Sequence, residues 1–305
     1  MRHLITRRDF LKTSGLALAA GGLADRLIAA GPSFSPDLVA VEGLNYYDST
    51  TRAVEALGGI RRFVSSGARV GLLVNSVFDK PGTFVKPQIA LALVAMCYEA
   101  GAREIVSLED VSSSYWRRAT LSKEHAEMVR TIRGPRGGVA VDIKGGRRLT
   151  SVEVTRDLMD CDVYINVPVF KDHEGTKFTG SLKNLMGATA GSTNRSWHRA
   201  GVLGGYYDDI PHLSECIADG NLVRKPTLCV GDATEVIVTN GPFGPGKVLT
   251  PRVVVAGTDP VAADAFGATL LGLDPRKILM LQSASELGVG SFEEVSAVRL
   301  IRLKG

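Results

Sequence analysis

The sequence predicts an α/β fold in which helices cover both faces of a mainly parallel central sheet. The apolar runs at 69–74 and 253–256 have the composition of strands that are buried on both faces. Between such runs lie segments whose apolar residues recur at helical spacing, as they do from 87 to 100. Strands that are separated by helices favour parallel pairing through right-handed crossovers. Together these patterns indicate one sheet with helices packed on each side.

The first half of the chain contains most of this alternation. Residues 31–68 are interpreted as a variable segment with one helical stretch at 51–65, and a buried strand follows it. The helix at 87–100 begins at Pro87, a residue that suits a first helical turn, and Gly101 ends it. The elements predicted next are a strand at 104–108, a helix at 123–132, a strand at 139–143, a helix at 152–159 and a strand at 162–167.

The second half of the chain continues the pattern to its end. Asp259 and Pro260 have the residue types of a helix cap and a first helical position. No internal repeat or linker divides the chain, so we predict a single domain over 31–305 with a core at about 69–275. The remaining predicted elements are helices at 209–218, 260–271 and 276–286, strands at 227–230 and 252–256, and a closing edge strand at 298–303.

The N-terminus resembles a twin-arginine export signal. Residues 6–12 read Thr-Arg-Arg-Asp-Phe-Leu-Lys, and a mildly apolar stretch rich in alanine and glycine follows at 15–24. That stretch is too short to span a membrane stably, so no span is expected after cleavage. We predict a signal peptide at 1–30, mature protein from Gly31-Pro32, and export by the twin-arginine translocation machinery to the periplasm or another extracytoplasmic space. A basic amphipathic helix and an uncleaved anchor are the alternatives.

The charge balance argues against a nucleic-acid partner. The chain has a formal net charge of +4, and residues 1–30 alone hold five basic and two acidic side chains. The rest of the chain is therefore close to neutral, whereas a nucleic-acid surface needs clustered lysine and arginine.

The four cysteines, Cys97, Cys161, Cys216 and Cys229, are widely spaced. Zinc ribbons and iron–sulphur loops need closely spaced thiolates, so we expect no iron–sulphur cluster bound by this chain alone. Three of the four lie in apolar runs and are interpreted as small buried hydrophobic residues. A single disulfide is the alternative in an oxidising compartment.

Polar side chains follow several of the predicted strands. In open parallel sheets, ligands bind beyond the carboxyl ends of the strands. We therefore expect one shared pocket lined by the residues after each strand, which are Asn75, Glu109 with Asp110, the segment 168–173, Gly231 with Asp232, and Asp259.

The segment 166–191 is the richest in candidate groups. Lysines at a helix start favour anionic ligands, because free backbone N–H groups add to their charge. Lys171 and Lys183 are therefore predicted to bind an anion, and Asn184 is predicted to contact the substrate. His173 is predicted to shuttle protons or to bind a metal, with a hydrogen-bonded loop histidine as the alternative.

A divalent metal is a second possible ligand of this pocket. Because the lysines repel cations, a metal beside His173 would need carboxylate partners, for which Asp232 and Asp264 are the candidates. Asp259 is predicted to contact substrate as well as to cap its helix. His198 lies in a glycine-rich polar loop and is also predicted to contact substrate.

Standard nucleotide-binding and catalytic motifs are absent from the sequence. The loop at 241–246 is too rich in proline for a phosphate loop, and no G-x-G-x-x-G follows a strand. No G-x-S-x-G or H-E-x-x-H occurs either. We interpret 241–246 as a rigid loop that folds over the pocket.

Several of these segments together resemble the family called domain of unknown function 362, over about residues 69–275. The resemblance implies an α/β fold and a shared site, without a settled activity. Two departures are the absence of a lysine just before Asn75, where Leu72, Leu73 and Val74 stand, and the absence of the ferredoxin-like cysteine module of many relatives. The matching segments are Val74-Asn75 with 81–83 and Pro87, 100–102, 168–173, 182–187, 231–232 with 240–242, and 259–264.

The leading functional hypothesis is an exported α/β enzyme that acts on a small anionic substrate, with a divalent metal as a possible aid. In this hypothesis Lys171 and Lys183 hold the anion, and His173 is an acid/base or a ligand. Two alternatives remain open: a non-catalytic protein that binds or delivers a metal, cofactor or small acid, and a redox accessory protein whose cluster lies on a partner chain. The groups that would orient substrate or metal are Asn75, Asp232, Asp259 and Asp264.

Overall fold

The computed structural model describes residues 38–198, 209–292, 295 and 298–303. The proposed signal peptide at 1–30 and the predicted start of the mature chain lie outside the described residues. Thirteen strands occur in the described part: β1 (Leu38–Glu42), β2 (Arg69–Val74), β3 (Glu104–Ser107), β4 (Gly138–Asp142), β5 (Ser151–Thr155), β6 (Val163–Val167), β7 (Lys171–His173), β8 (Lys177–Thr179), β9 (Leu228–Ala233), β10 (Val236–Ile237), β11 (Val248–Leu249), β12 (Val253–Gly257) and β13 (Arg299–Arg302).

Seven of these strands form the central sheet in the order β13-β1-β12-β9-β6-β2-β3. The pairs β2–β3, β2–β6, β6–β9 and β1–β13 are parallel, whereas β12 runs antiparallel to both of its neighbours. The predicted α/β class with a mainly parallel sheet is therefore confirmed, with β12 as the reversed strand. The remaining strands pair as three small hairpins, β4–β5, β7–β8 and β10–β11.

Helices pack on both faces of this sheet. Successive side chains of a strand point to opposite faces, and in β2 they enter two separate apolar cores. Leu73 belongs to the core that contains Ile217 and Phe266, while Leu72 belongs to the core that contains Leu93. The helices are α1 (Tyr46–Ala56), α2 (Pro87–Glu99), α3 (Ser113–Trp116), α4 (Lys123–Thr131), α5 (Arg156–Asp160), α6 (Ser181–Asn184), α7 (Gly191–Trp197), α8 (Ile210–Gly220), α9 (Pro260–Leu270) and α10 (Leu279–Glu286), with 3₁₀ turns at Ile60–Arg62, Leu185–Ala188 and Pro275–Lys277.

The segment before β2 is more ordered than the sequence predicts. The sequence does not predict its strand β1, which lies inside the sheet between β12 and β13. Helix α1 begins earlier than the predicted stretch at 51–65, because the Asn45 side chain accepts hydrogen bonds from the backbone N–H groups of Tyr47 and Asp48. Gly58 and Gly59, both with positive φ, follow the end of this helix.

Two elements in the middle of the chain also differ from the prediction. The strand predicted at 139–143 belongs to the β4–β5 hairpin and not to the central sheet. The helix predicted at 152–159 begins as β5, and only Arg156–Asp160 is helical. The reason is visible in the burial pattern, because Val152 and Val154 are buried while Glu153 between them is exposed, which is the period of a strand.

Two further features concern the whole described chain. Within the described ranges, the helices are each too short or too polar to cross a bilayer. All four cysteines are buried as thiols, and no disulfide joins them.

Candidate functional site

The carboxyl ends of β2, β6 and β9 lie side by side and form the floor of the candidate site. Asn75 directly follows β2, and the segment after β6 is held against the end of β9. In that contact the backbone N–H of Phe170 donates to the carbonyl of Asp232 at 2.9 Å, and the N–H of Asp232 donates to the carbonyl of Pro168 at 2.8 Å. This pairing places the β7–β8 hairpin, which carries Lys171 and His173, over the edge of the sheet.

Lys171 lies beneath the loops that cover the sheet edge, with only 1% of its surface exposed. Its Nζ donates to the carbonyl of Thr83 at 2.7 Å and to Oδ1 of Asn75 at 3.3 Å. The ammonium also lies 4.4 Å from the centre of the Phe78 ring, which is a favourable cation–π distance. Phe243, in the loop at 241–246, packs edge-on against Phe78, so this loop contacts the ring that lies against the Lys171 ammonium.

A chain of three amides leads away from Lys171 into the fold. Asn75 Nδ2 donates to Asn184 Oδ1 at 2.9 Å, and Asn184 Nδ2 donates to Asn166 Oδ1 at 2.8 Å. Asn166 Nδ2 then donates to the carbonyl of Ser181 at the start of α6. Because each amide has a fixed donor and acceptor, the chain orients the oxygen of Asn75 towards the Lys171 ammonium.

Lys183 is buried in a different environment from Lys171. It lies on α6, is 8% exposed, and its Nζ has a contact of 3.4 Å with the sulphur of Met186. Among the described residues, no carboxylate pairs with Lys183 or with Lys171. Burial lowers the pKa of Lys183 to about 7. Burial also lowers the pKa of Lys171 to about 7, with the charge of Lys183 adding to the effect and Glu109 opposing it.

Glu109 is a further ionisable side chain near Lys171. From the sequence it is only one of the polar residues that follow β3. Its carboxylate lies against Gly187, where a Cβ atom would come within 2.7 Å of Glu109 Oε2. Within the described part of the chain it has no ion pair and no side-chain hydrogen bond. Burial raises the pKa of Glu109 to about 7, while the charge of Lys171 opposes this rise. A carboxyl group with this pKa can both accept and donate a proton near neutral pH.

His173 and His198 stack on each other at the same edge, with ring centres 6.3 Å apart. Nδ1 of His173 accepts hydrogen bonds from the backbone N–H groups of Gly175 at 3.1 Å and Thr176 at 3.3 Å. These bonds leave the proton on Nε2 and fix the neutral ring. Burial lowers the pKa of His173, and the charges of Lys183 and His198 add to this fall.

Asp232 and Asp264, the candidate metal ligands beside His173, both satisfy backbone groups. Asp232 accepts from the N–H of Lys86 at 2.6 Å, at the start of α2, and from Thr234. Asp264 accepts from the N–H groups of Ser181 and Leu182, at the start of α6. In the described ranges no three His, Cys, Asp or Glu side chains gather in an arrangement that could hold a metal ion. Among the described residues, His173, Asp232 and Asp264 are therefore not gathered into such a group.

Asp259 lies away from the site, which corrects the expectation that it shares the pocket. Because β12 is antiparallel to β9, the carboxyl end of β12 lies at the opposite edge of the sheet. There Asp259 accepts hydrogen bonds from the N–H groups of Val261 at 2.8 Å and Ala262 at 2.9 Å and caps α9. It also accepts from the N–H of Ser291. The structure supports only the capping role.

Replacing Asp264 with alanine should destabilise the protein by about 2 kcal/mol, because it leaves two buried N–H groups of α6 without an acceptor. Urea unfolding of the variant beside the parent protein would measure this loss. Asp274→Ala, which removes an exposed side chain that caps only a 3₁₀ turn, is the matched control and should cost less than 1 kcal/mol. Equal losses in the two variants would contradict the assignment of Asp264 as the cap of α6.

Comparison with known proteins adds the family context. The model of the family described as domain of unknown function (DUF362) matches residues 70–269. A thylakoid-associated protein of Synechocystis sp. is 26% identical over 246 residues, which are 77% of this chain and 73% of that protein.

Two solved structures are similar to this chain at lower sequence identity. The lactate racemase apoprotein from Thermoanaerobacterium thermosaccharolyticum has a TM-score of 0.47 at 11% identity, over 85% of this chain and 59% of its own. A Thermotoga maritima protein has a TM-score of 0.44 at 15% identity, over 80% of this chain and 60% of its own. This chain therefore spans less than two thirds of either structure. The family model covers most of the chain, and the protein belongs to the domain of unknown function 362 family.

Proposed function

We propose that this protein is an enzyme that binds a small organic anion between Lys171 and Lys183 and moves a proton with Glu109. The observation that carries the proposal is the burial of two lysines without a carboxylate partner among the described residues. Burying unpaired cations costs stability, so such a pair is typical of a site whose ligand supplies the missing negative charge.

The roles follow from the surroundings of each group. Lys171 is held by two oxygen acceptors and by the Phe78 ring, which favour its charged form and suit it to bind the anion. In the proposal the acid/base role passes from His173 to Glu109. The reason is that burial and nearby charges keep the His173 ring neutral, whereas the pKa of Glu109 is about 7.

Proton exchange in deuterated water tests the proposed function. The protein is incubated with acetate, lactate or pyruvate, and the carbon-bound hydrogens are followed by proton NMR while calorimetry measures binding. We expect faster exchange or conversion of at least one acid, and a loss of about 100-fold or more in Glu109→Gln. Binding without any exchange or conversion would favour the alternative of a binding or delivery protein. The absence of binding by every acid would contradict the proposal altogether.

We also propose that the protein is exported by the twin-arginine route, on the basis of residues 6–12. Replacing both Arg7 and Arg8 with lysine keeps the positive charge but removes the motif, so the protein should accumulate in the cytoplasm. Cell fractionation with an antibody against the chain measures this distribution. Arg26→Lys, outside the motif, is the matched control and should be exported normally. Export of the double variant at the parent level would contradict the proposed route.

A further inference from the structure

The two buried lysines differ in what their amines contact. Lys171 Nζ donates to two oxygen atoms and lies over an aromatic ring, so its surroundings stabilise an ammonium. Among the residues that the structure describes, the one hydrogen-bonding contact of Lys183 Nζ is with the thioether of Met186, and a thioether is a weak acceptor that does little for a positive charge. The backbone N–H groups at the start of the same helix donate to the Asp264 carboxylate.

From this difference we infer that Lys183 is a nucleophilic amine that forms an imine with a small 2-oxo acid, whose carboxylate is held by Lys171. This inference rests on the proposed function and names its substrate class. A neutral amine in an apolar pocket is the form that attacks a carbonyl carbon. An ordinary lysine is almost entirely protonated at pH 7, whereas a pKa of about 7 leaves about half of Lys183 neutral. Because the pKa of Lys171 is also about 7, the two lysines are distinguished by the contacts of their amines and not by their pKa.

The step balances without a further reactant. The lone pair of Nζ attacks the carbonyl carbon, the C=O π bond opens, and a proton moves from nitrogen to oxygen to give a carbinolamine. Glu109 in its acid form then protonates the hydroxyl, the C–O bond breaks, and water leaves. The nitrogen lone pair forms the C=N bond, and the Glu109 carboxylate takes back a proton from nitrogen when the neutral imine forms. Glu109 lies near the lysine that would hold the carboxylate, because the charges of Glu109 and Lys171 each shift the pKa of the other.

Reductive trapping tests the inference on the full chain. The protein is mixed with pyruvate and sodium cyanoborohydride at pH 7, and the modified residue is identified by intact mass and peptide mapping. We expect one adduct, with a mass gain equal to pyruvate minus one oxygen atom, and we expect it on Lys183. Since an ordinary lysine has on the order of 1,000-fold less neutral amine at this pH, labelling of exposed lysines should be slower by at least about 100-fold.

Single substitutions distinguish the roles that the inference gives to Lys171 and Lys183. Lys183→Met should abolish the adduct, whereas Lys171→Met should keep it at Lys183 but require a higher pyruvate concentration. Lys144→Met, at an exposed lysine, is the matched control and should label at the parent rate. The mapped adduct of the parent protein decides the question even if a variant fails to fold. An adduct on Lys171, or scattered over surface lysines, would overturn the inference.

A binding measurement with lactate, which has no carbonyl, distinguishes the inference from the proposed function. Lactate and pyruvate should both raise the melting temperature, and only pyruvate should give an adduct. If both acids raise the melting temperature and pyruvate leaves no adduct, the imine is wrong while the anion site stands. If neither acid binds and no adduct forms, both proposals fail.

Discussion

Lys183→Met should stabilise the protein by about 3 kcal/mol at pH 7. The parent protein buries an amine whose pKa falls from 10.5 to about 7, and one pKa unit corresponds to about 1.4 kcal/mol, which sets a ceiling near 5 kcal/mol. Methionine has a similar length and no charge to bury. Urea unfolding of both proteins at pH 7 measures the difference in the free energy of unfolding.

The stability advantage of Lys183→Met over the parent protein should decrease as the pH rises above 7. Between pH 7 and 10.5 the unfolded parent chain binds a proton at Lys183 that the folded protein does not, so the parent becomes more stable as the pH rises. The advantage of the variant should therefore shrink towards zero as the pH approaches 10.5. Lys144→Met, at an exposed position, should change stability by less than about 0.5 kcal/mol at either pH. A Lys183→Met variant less stable than the parent at pH 7 would contradict the assignment of an unpaired buried amine.

Much of the site could be predicted because it depends on parallel strands. Asn75 follows β2 and the hairpin with Lys171 and His173 follows β6, and these neighbouring strands point the same way. Residues that follow such strands necessarily meet at one edge of the sheet. Lys183 and Asn184 join them because α6 begins directly after the hairpin.

The position of Asp259 could not be predicted, because an apolar run does not reveal the direction of its strand. The run at 253–256 is buried on both faces, as it would be in a parallel strand. Its direction is set by the connection from β9, which contains the hairpin β10–β11 and no helix, so the chain returns antiparallel.

The surroundings of Asp232, Asp264 and Glu109 could not be predicted from the sequence either. Asp232 and Asp264 have the residue type of metal ligands, but both bind backbone N–H groups, and only tertiary structure shows where those groups lie. For Glu109, by contrast, nothing in the sequence indicates a special role. It looks like any polar residue after a strand, and the role we propose for it depends on its packing against Gly187, which lies far away in the sequence.

Glu109→Gln should strengthen lactate binding by about 10- to 100-fold at pH 8. At that pH the carboxylate, with a pKa of about 7, is mostly ionised and repels the bound anion across a poorly solvated site. Glutamine keeps the shape and removes the charge. At pH 6 the parent Glu109 is mostly protonated, so parent and variant should bind lactate with similar affinity. Isothermal titration calorimetry at both pH values measures the four dissociation constants.

In the parent protein, lactate affinity should rise by about tenfold or more between pH 8 and pH 6, because Glu109 loses its charge while Lys171 and Lys183 gain theirs. In Glu109→Gln only the lysines titrate, so the rise should be smaller. Asp110→Asn removes an exposed charge from the next residue, and water should limit its effect at pH 8 to less than about fivefold. Equal effects of the two substitutions would mean that the general charge of this loop, and not the Glu109 carboxyl group, governs binding.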